Sequence, residues 1–141
     1  MIKKSLIIII TLVFFSTLIL AQSHKIEVST LKETYSPEEN ITLRISLFDY
    51  DNKPINEKVN LTLEDVEKRE RKEFQIDANK ISEINLGPKA PSGFWTVTAS
   101  YRETETTTSF LIESEELVEF SISGDKLTVT NTGNTQYSKT I

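Results

Sequence analysis

The chain of 141 residues has no cysteine, one histidine, four glycines and four prolines. Without cysteine there is no disulfide staple, no thiolate metal site, no lipidated N-terminal Cys and no Cys nucleophile. With His24 as the only imidazole, a Ser-His-Asp triad has little to draw on, and no serine sits in a Gly-x-Ser-x-Gly elbow. None of the glycines belongs to a phosphate-cradling motif. Basic residues are outnumbered, 16 Lys+Arg against 21 Asp+Glu, for a formal charge of -5. Removal of the first segment would take Lys3 and Lys4 with it, leaving 14 basic against 21 acidic residues, or -7. An acidic chain repels phosphate backbones, so no nucleic-acid partner is expected. What remains is 38% hydrophobic and 26% charged, enough apolar material for a core and too much for disorder.

Residues 1–23 have the three regions of a secretory signal peptide. Lys3 and Lys4 supply the positive start, and Leu6 to Leu20 is an apolar run broken only by Thr11, Ser16 and Thr17. Small residues follow at Ala21 and Ser23, placing cleavage after one or the other. The competing reading is an uncleaved anchor, although the run is shorter than the ~20 residues of a spanning helix. In both cases the lysines stay inside and the rest goes out. The expected location is secreted or extracytoplasmic, at the cell surface, with membrane contact only through residues 1–23 if they are retained.

After residue 23 the apolar pattern has period two. Ile26 and Val28 alternate with polar neighbours, as do Ile41, Leu43, Ile45 and Leu47. Val59, Leu61 and Leu63 follow, then Phe74 and Ile76, Ile84 and Leu86, Trp95 to Tyr101, and Phe110 and Ile112. Alternation puts one row on a core and the other in water, as in half-buried strands. Turn residues separate the rows at 36–39, 49–54, 77–80 and 87–93. The run Glu64–Lys72 is charged throughout and lacks an apolar stripe, so it reads as a hairpin connection with solvated strand ends. The expected fold is all-β: an immunoglobulin-like antiparallel sandwich of about seven strands over 24–113, preceded by a signal helix. Residues 114–141 form a β-hairpin tail, with a turn at Ser123-Gly124-Asp125, a second at 131–134 and a further strand beginning at Tyr137. A lone hairpin is marginal in water, so the tail reads as the start of a second sandwich.

Few residues invite chemistry. His24 falls on an expected flexible tail, a poor place for a base or ligand. Asp49, Asp51 and Asn52 offer clustered oxygens for calcium, but lack the following Gly and bidentate Glu of a calcium loop. A turn in which Asp and Asn bond their own backbone is the preferred reading. Asn40-Ile41-Thr42 and Asn60-Leu61-Thr62 are glycosylation acceptors by sequence, and Asn60 should point away from the core because Val59 and Leu61 point in. Trp95 shares a face with Val97, Ala99 and Tyr101 and is assigned to the core rather than to ligand stacking. Thr104 to Thr108 reads as a solvated strand start, or an edge open to pairing. No catalytic residue, metal or cofactor is expected.

Residues 25–113 resemble the macroglobulin-like, immunoglobulin-type sandwich of exported proteins. Tyr35-Ser36-Pro37-Glu38-Glu39 is similar to that family's Tyr-x-Pro-Gly-Glu turn, with Glu38 where the glycine stands. A residue with a Cβ disfavours positive φ, so a type I turn is expected. Asp49-Tyr50-Asp51-Asn52-Lys53-Pro54-Ile55 resembles the family's acidic turn, and Pro91-Ser92-Gly93-Phe94-Trp95 its start of a late strand. The thioester of protease-trapping macroglobulins needs a Cys, so covalent capture is not implied. Leu127-Thr128-Val129-Thr130-Asn131-Thr132-Gly133-Asn134 resembles the opening of another exported sandwich of surface-protein type. The resemblance bears on the fold and does not choose among roles; the best reading of the whole chain is an exported, non-enzymatic structural or interaction module at the cell surface or envelope, whose partner is a protein or surface component. Two other readings stay open: the N-terminal part of a longer surface or adhesion protein, and an accessory or inhibitor domain working through the loop Gly87–Gly93.

Overall fold

The structure, a computed structural model, describes residues 23–136. The signal segment, all but its last residue, and the strand expected from Tyr137 lie outside the described residues. The described part is all-β, with no helix, in ten strands. Eight make up the body: β1 Lys25–Thr30, β2 Thr34–Tyr35, β3 Ile41–Phe48, β4 Lys58–Asp65, β5 Arg71–Asp77, β6 Ile81–Ile84, β7 Gly93–Tyr101 and β8 Thr104–Ile112. The last two, β9 Val118–Ser123 and β10 Lys126–Asn131, form the tail hairpin.

The body has a three-stranded sheet in the order β1-β3-β6 and a five-stranded sheet in the order β2-β8-β7-β4-β5. Both give side chains to one cluster. Ile26, Leu43, Ile45 and Leu47 come from the first sheet, and Leu61, Leu63, Trp95, Val97 and Phe110 from the second. Register explains why one row faces the core. Ile26 faces Leu47 and Val28 faces Ile45 across β1 and β3. Leu61 faces Ala99 and Leu63 faces Val97 across β4 and β7. A slip of one residue would turn every row into water.

Four sequence expectations differ in detail. The expected antiparallel set contains one parallel pair, β2 on β8, in which Thr34 faces Leu111 and Tyr35 faces Ile112. The first part of the chain therefore pairs in both sheets, β1 in one and β2 in the other. The row Ile84–Leu86 is only half strand: β6 ends at Ile84, and Leu86 is buried from the following loop. The turn at 36–39 is not type I. The Glu39 amide donates to the Ser36 carbonyl at 3.2 Å, and Glu38 has φ of +66°. With Pro37 fixing φ negative before it, this is a type II turn, and Glu38 takes the left-handed position that glycine favours. Lys32 and the Ser36 amide both hold Glu39, which draws that carboxyl below the usual range, chiefly through the Lys32 bond. Last, Asp65 at the end of β4 is not solvated but buried.

The hairpin register sets Ser123 against Lys126, leaving Gly124-Asp125 as a two-residue loop. Gly124 has φ of +65° and Asp125 is not in the positive region, as in a II′ turn.

Candidate functional site

The β4–β5 connection is built around Asp65. Its carboxylate accepts from Arg69 Nε at 2.8 Å and from the Glu70 amide at 2.6 Å, while its carbonyl accepts from the Lys68 amide at 2.8 Å. Burial pushes the Asp65 carboxyl up, but the bonds from Arg69 and the Glu70 amide outweigh it and hold it below the usual carboxylate range. Arg69 then reaches sideways, donating from Nη2 to the Ser92 carbonyl at 2.8 Å. This ties the β4–β5 connection to the start of β7. The Val66 amide adds a bond to the Phe94 carbonyl at 2.9 Å.

The result is a fixed pair of exposed apolar side chains at one end of the five-stranded sheet. Val66 is 63% and Phe94 62% exposed. Together with Glu67, Arg69, Gly93 and Ser109 they line a shallow groove of about 390 Å³. An aromatic and an arginine held by backbone and carboxylate partners make a pre-ordered contact surface rather than a reaction site. The sequence reading missed it because Val66 and Phe94 become neighbours only through the pairing of Asp65 with Trp95 across β4 and β7.

The second exposed apolar surface is the tail hairpin. Phe120 faces Val129 and Ile122 faces Leu127 across β9 and β10, so all four side chains share one face. None is buried, Ile122 being 78% exposed. The turn motif after β10 holds the hairpin's base. Asn134 Oδ1 accepts from the Glu115 amide at 2.7 Å, and Asn134 Nδ2 donates to the Glu113 carbonyl at 2.9 Å. The Thr132 and Gly133 amides both donate to the Leu117 carbonyl. Gly133 runs so close to this linker that an added Cβ would stand 2.1 Å from the Glu115 oxygen.

The residues singled out from sequence fall as follows. Trp95 is fully buried, with its Nε1 donating to the Pro91 carbonyl at 2.9 Å, and belongs to the core. That bond and the one from Arg69 pin the loop Gly87–Gly93 at Pro91 and Ser92. Asp49 Oδ1 accepts from the amides of Asp51 and Lys53, and Asn52 sits at φ of +60°, so the 49–54 cluster is a self-bonded turn. No group of three or more His, Cys, Asp or Glu suited to a metal occurs among the described residues. His24 is not on a loose tail. It is half-buried, its ring meets Tyr101 edge-on at 5.2 Å, and its carbonyl accepts from Thr104 Oγ1. Tyr101 donates in turn to Glu57 at 2.6 Å, and that bond, with burial, raises its hydroxyl pKa. Asn40 and Asn60 are both exposed, and Asn60 points away from the core as its buried neighbours require. Asn79, read only as a turn residue, bonds the side of β3 beyond the β6 pairing: its backbone amide donates to the Ile45 carbonyl and its side-chain Oδ1 accepts from the Leu47 amide.

No protein-family model matches the chain, and no curated protein matches it. Among solved structures, it is similar to a mutant beta-glucosidase from Listeria innocua crystallised in complex with laminaribiose, at 12% identity and a TM-score of 0.42. The match covers 65% of this chain but 16% of that enzyme's chain. A likeness at that score and identity carries no argument about activity.

Proposed function

We propose that this chain is an exported, non-catalytic module of immunoglobulin-like, macroglobulin-like β-sandwich type that makes protein contacts at the cell surface or envelope. The strand orders β1-β3-β6 and β2-β8-β7-β4-β5 support the sandwich, since the successive strands β1 and β2 pair in different sheets that share one apolar core. The observation that carries the functional reading is the Val66–Phe94–Arg69 surface, where apolar side chains remain in water on a backbone that cannot withdraw them. The buried charge nearby, Asp65, is engaged in holding that surface and not in chemistry.

Asn40 and Asn60 are proposed glycan acceptors where the host glycosylates exported chains. Asn60 accepts from Gln75 at 3.0 Å through its oxygen, and its Nδ2 has no hydrogen bond among the described residues. Asn40 Nδ2 is engaged with Glu83. Asn60 is thus the better acceptor of the two.

The test is retention of envelope proteins on the immobilised full chain, compared with Phe94→Ala and Val66→Ala. The expected result is one stoichiometric partner held by the wild type and lost from both variants, in a chain that fractionates outside the cytoplasm. Equal retention by the variants, or a cytoplasmic location, would sink the reading. A second reading, as the first part of a longer surface protein, is favoured by the bare hairpin face, which further strands would cover. Sequencing the gene beyond the codon for Ile141 decides that point.

A further inference from the structure

We propose that the free edge of the five-stranded sheet pairs with the same edge of a second copy of this chain, β5 against β5, so that one sheet runs through both. β5 ends that sheet and pairs only with β4 among the described residues. It has seven residues, more than any other edge strand, and holds no Pro or Gly. The bonds that flank the β4–β5 ladder fix which of its main-chain groups are free. The Ala78 amide donates to the Glu57 carbonyl, and the Asp65 amide to the Glu70 carbonyl. Bonded pairs alternate along an antiparallel ladder, so Lys72, Phe74 and Ile76 turn their amides and carbonyls toward β4. Arg71, Glu73, Gln75 and Asp77 turn theirs away from it, where no strand meets them. An added extended strand satisfies such a row.

The sequence of β5 is complementary to itself in one register. A two-fold axis perpendicular to the sheet sets two copies antiparallel and keeps both cores on the same side. The free groups lie on odd-numbered residues, so odd must oppose odd. With the axis at Phe74, Arg71 stands opposite Asp77 and Glu73 opposite Gln75, each twice, for about eight new ladder bonds. A slip of two residues sets Glu73 against Glu73 in one direction and against Asp77 in the other, and it shortens the ladder. Charge thus selects the longest pairing. Arg71 is bonded to Glu73 at 2.7 Å, and Asp77 to Lys58 and Lys80. The contact therefore adds a carboxylate as well as a cation beside those lysines. The inner face agrees. Phe74 and Ile76 are half-buried against the core, and Phe74 meets its own copy in an unbonded pair, where side chains are closest. Lys72 is the feature that blunts this edge. The register sets it against Ile76 rather than another Lys72, with its Nζ held by the Leu86 carbonyl and Glu70 and its apolar stem free for contact. The contact is narrower than the ~1,000 Å² of a stable interface and draws on main-chain bonds. The dimer is therefore weak, with a dissociation constant on the order of 100 μM.

The experiment uses the full chain in mild detergent, with residues 1–22 common to all variants. Because the chain has no cysteine, single Cys substitutions report the register. Phe74→Cys should oxidise to a covalent dimer at least about tenfold faster than Ile76→Cys, since the Cα atoms of an unbonded pair lie about 4.5 Å apart and position 76 meets position 72 instead. Sedimentation from about 1 to 500 μM tests the bonds. Gln75→Pro removes an amide that faces away from β4, so it should keep the wild-type urea midpoint and associate at least about 30-fold more weakly. Arg71→Glu, on an exposed side chain, sets like charges against Asp77 and should weaken the dimer about tenfold. A monomer throughout, an unweakened Gln75→Pro or Arg71→Glu dimer, or equal cross-linking at 74 and 76 would each overturn the proposal. Phe94→Ala should dimerise like the wild type. A monomer that still holds an envelope partner through Phe94 removes self-association and leaves the module standing.

Discussion

In the body, Trp95, Val97 and Ala99 occupy alternate positions of β7 and are dry; in the hairpin, Phe120, Ile122, Leu127 and Val129 occupy alternate positions of β9 and β10 and are wet. The two regions share strand propensity, side-chain period and antiparallel pairing. They differ in having, or lacking, a second sheet across the apolar face. Alternation therefore specifies which side of a strand wants cover, but supplies no cover. In the body, the chain itself brings β1, β3 and β6 over the five-stranded sheet.

The sharpest way to break this comparison is to truncate one apolar side chain in each region. Trp95→Ala should cost about 3–5 kcal/mol in urea unfolding, since it empties a fully enclosed site. Phe120→Ala, measured at a concentration where the chain is monomeric, should stay within about 0.5 kcal/mol. A large Phe120 effect in the monomer would mean that the hairpin face is already covered.

Next in size is Asp65→Ala, which leaves Arg69 and the Glu70 amide without their partner and should cost about 2–3 kcal/mol. The acid response follows from the lowered folded pKa of Asp65. A depressed carboxyl contributes stability that is present above its unfolded pKa and disappears as pH falls through the folded value. Urea midpoints should therefore drop below the ordinary carboxylate range in the wild type, and drop less in Asp65→Asn.

Gly133→Ala probes the hairpin alone. A Cβ 2.1 Å from the Glu115 oxygen forces the linker away, with bonds worth about 1 kcal/mol each at risk. Amide protection from Val118 to Asn131 should fall roughly tenfold, while the main melting transition moves by less than about 2 °C. The smallest effect is Glu38→Gly, which relieves a left-handed residue at the cost of unfolded-chain entropy, for a net gain of about 0.5 kcal/mol in thermal unfolding.

Much of the body was legible in the sequence because its rows are long and regular. Ile41 to Leu47 and Trp95 to Tyr101 show a two-residue period that local residues alone display, and both are buried on the expected face. β2 was not legible: two residues have no period, and Tyr35 sat inside a turn motif. Glu38 was misjudged because a local preference against positive φ was taken to decide a turn that Pro37 and the Lys32–Glu39 contact hold in place. Asp65 looked solvated because it opens a run of charges; only the return of Arg69 and Glu70 over it makes it dry. The Val66–Phe94 surface was invisible for the same reason that most surfaces are, since its members are 28 residues apart and meet through strand pairing. For Asn134, the turn was evident but its grip on Glu113 and Glu115 was not.

The parallel pairing of β2 with β8 has a mechanical consequence. A pull between the N-terminal side and the hairpin drags these two strands in opposite directions along their common axis. Their bonds, Leu111 to Glu33 at 2.8 Å and Glu113 to Tyr35 at 3.0 Å, are then loaded together instead of being peeled one after the other. Tension that passes β1 thus meets a short shear joint, seated on the buried Tyr35 ring, before it can separate the five-stranded sheet.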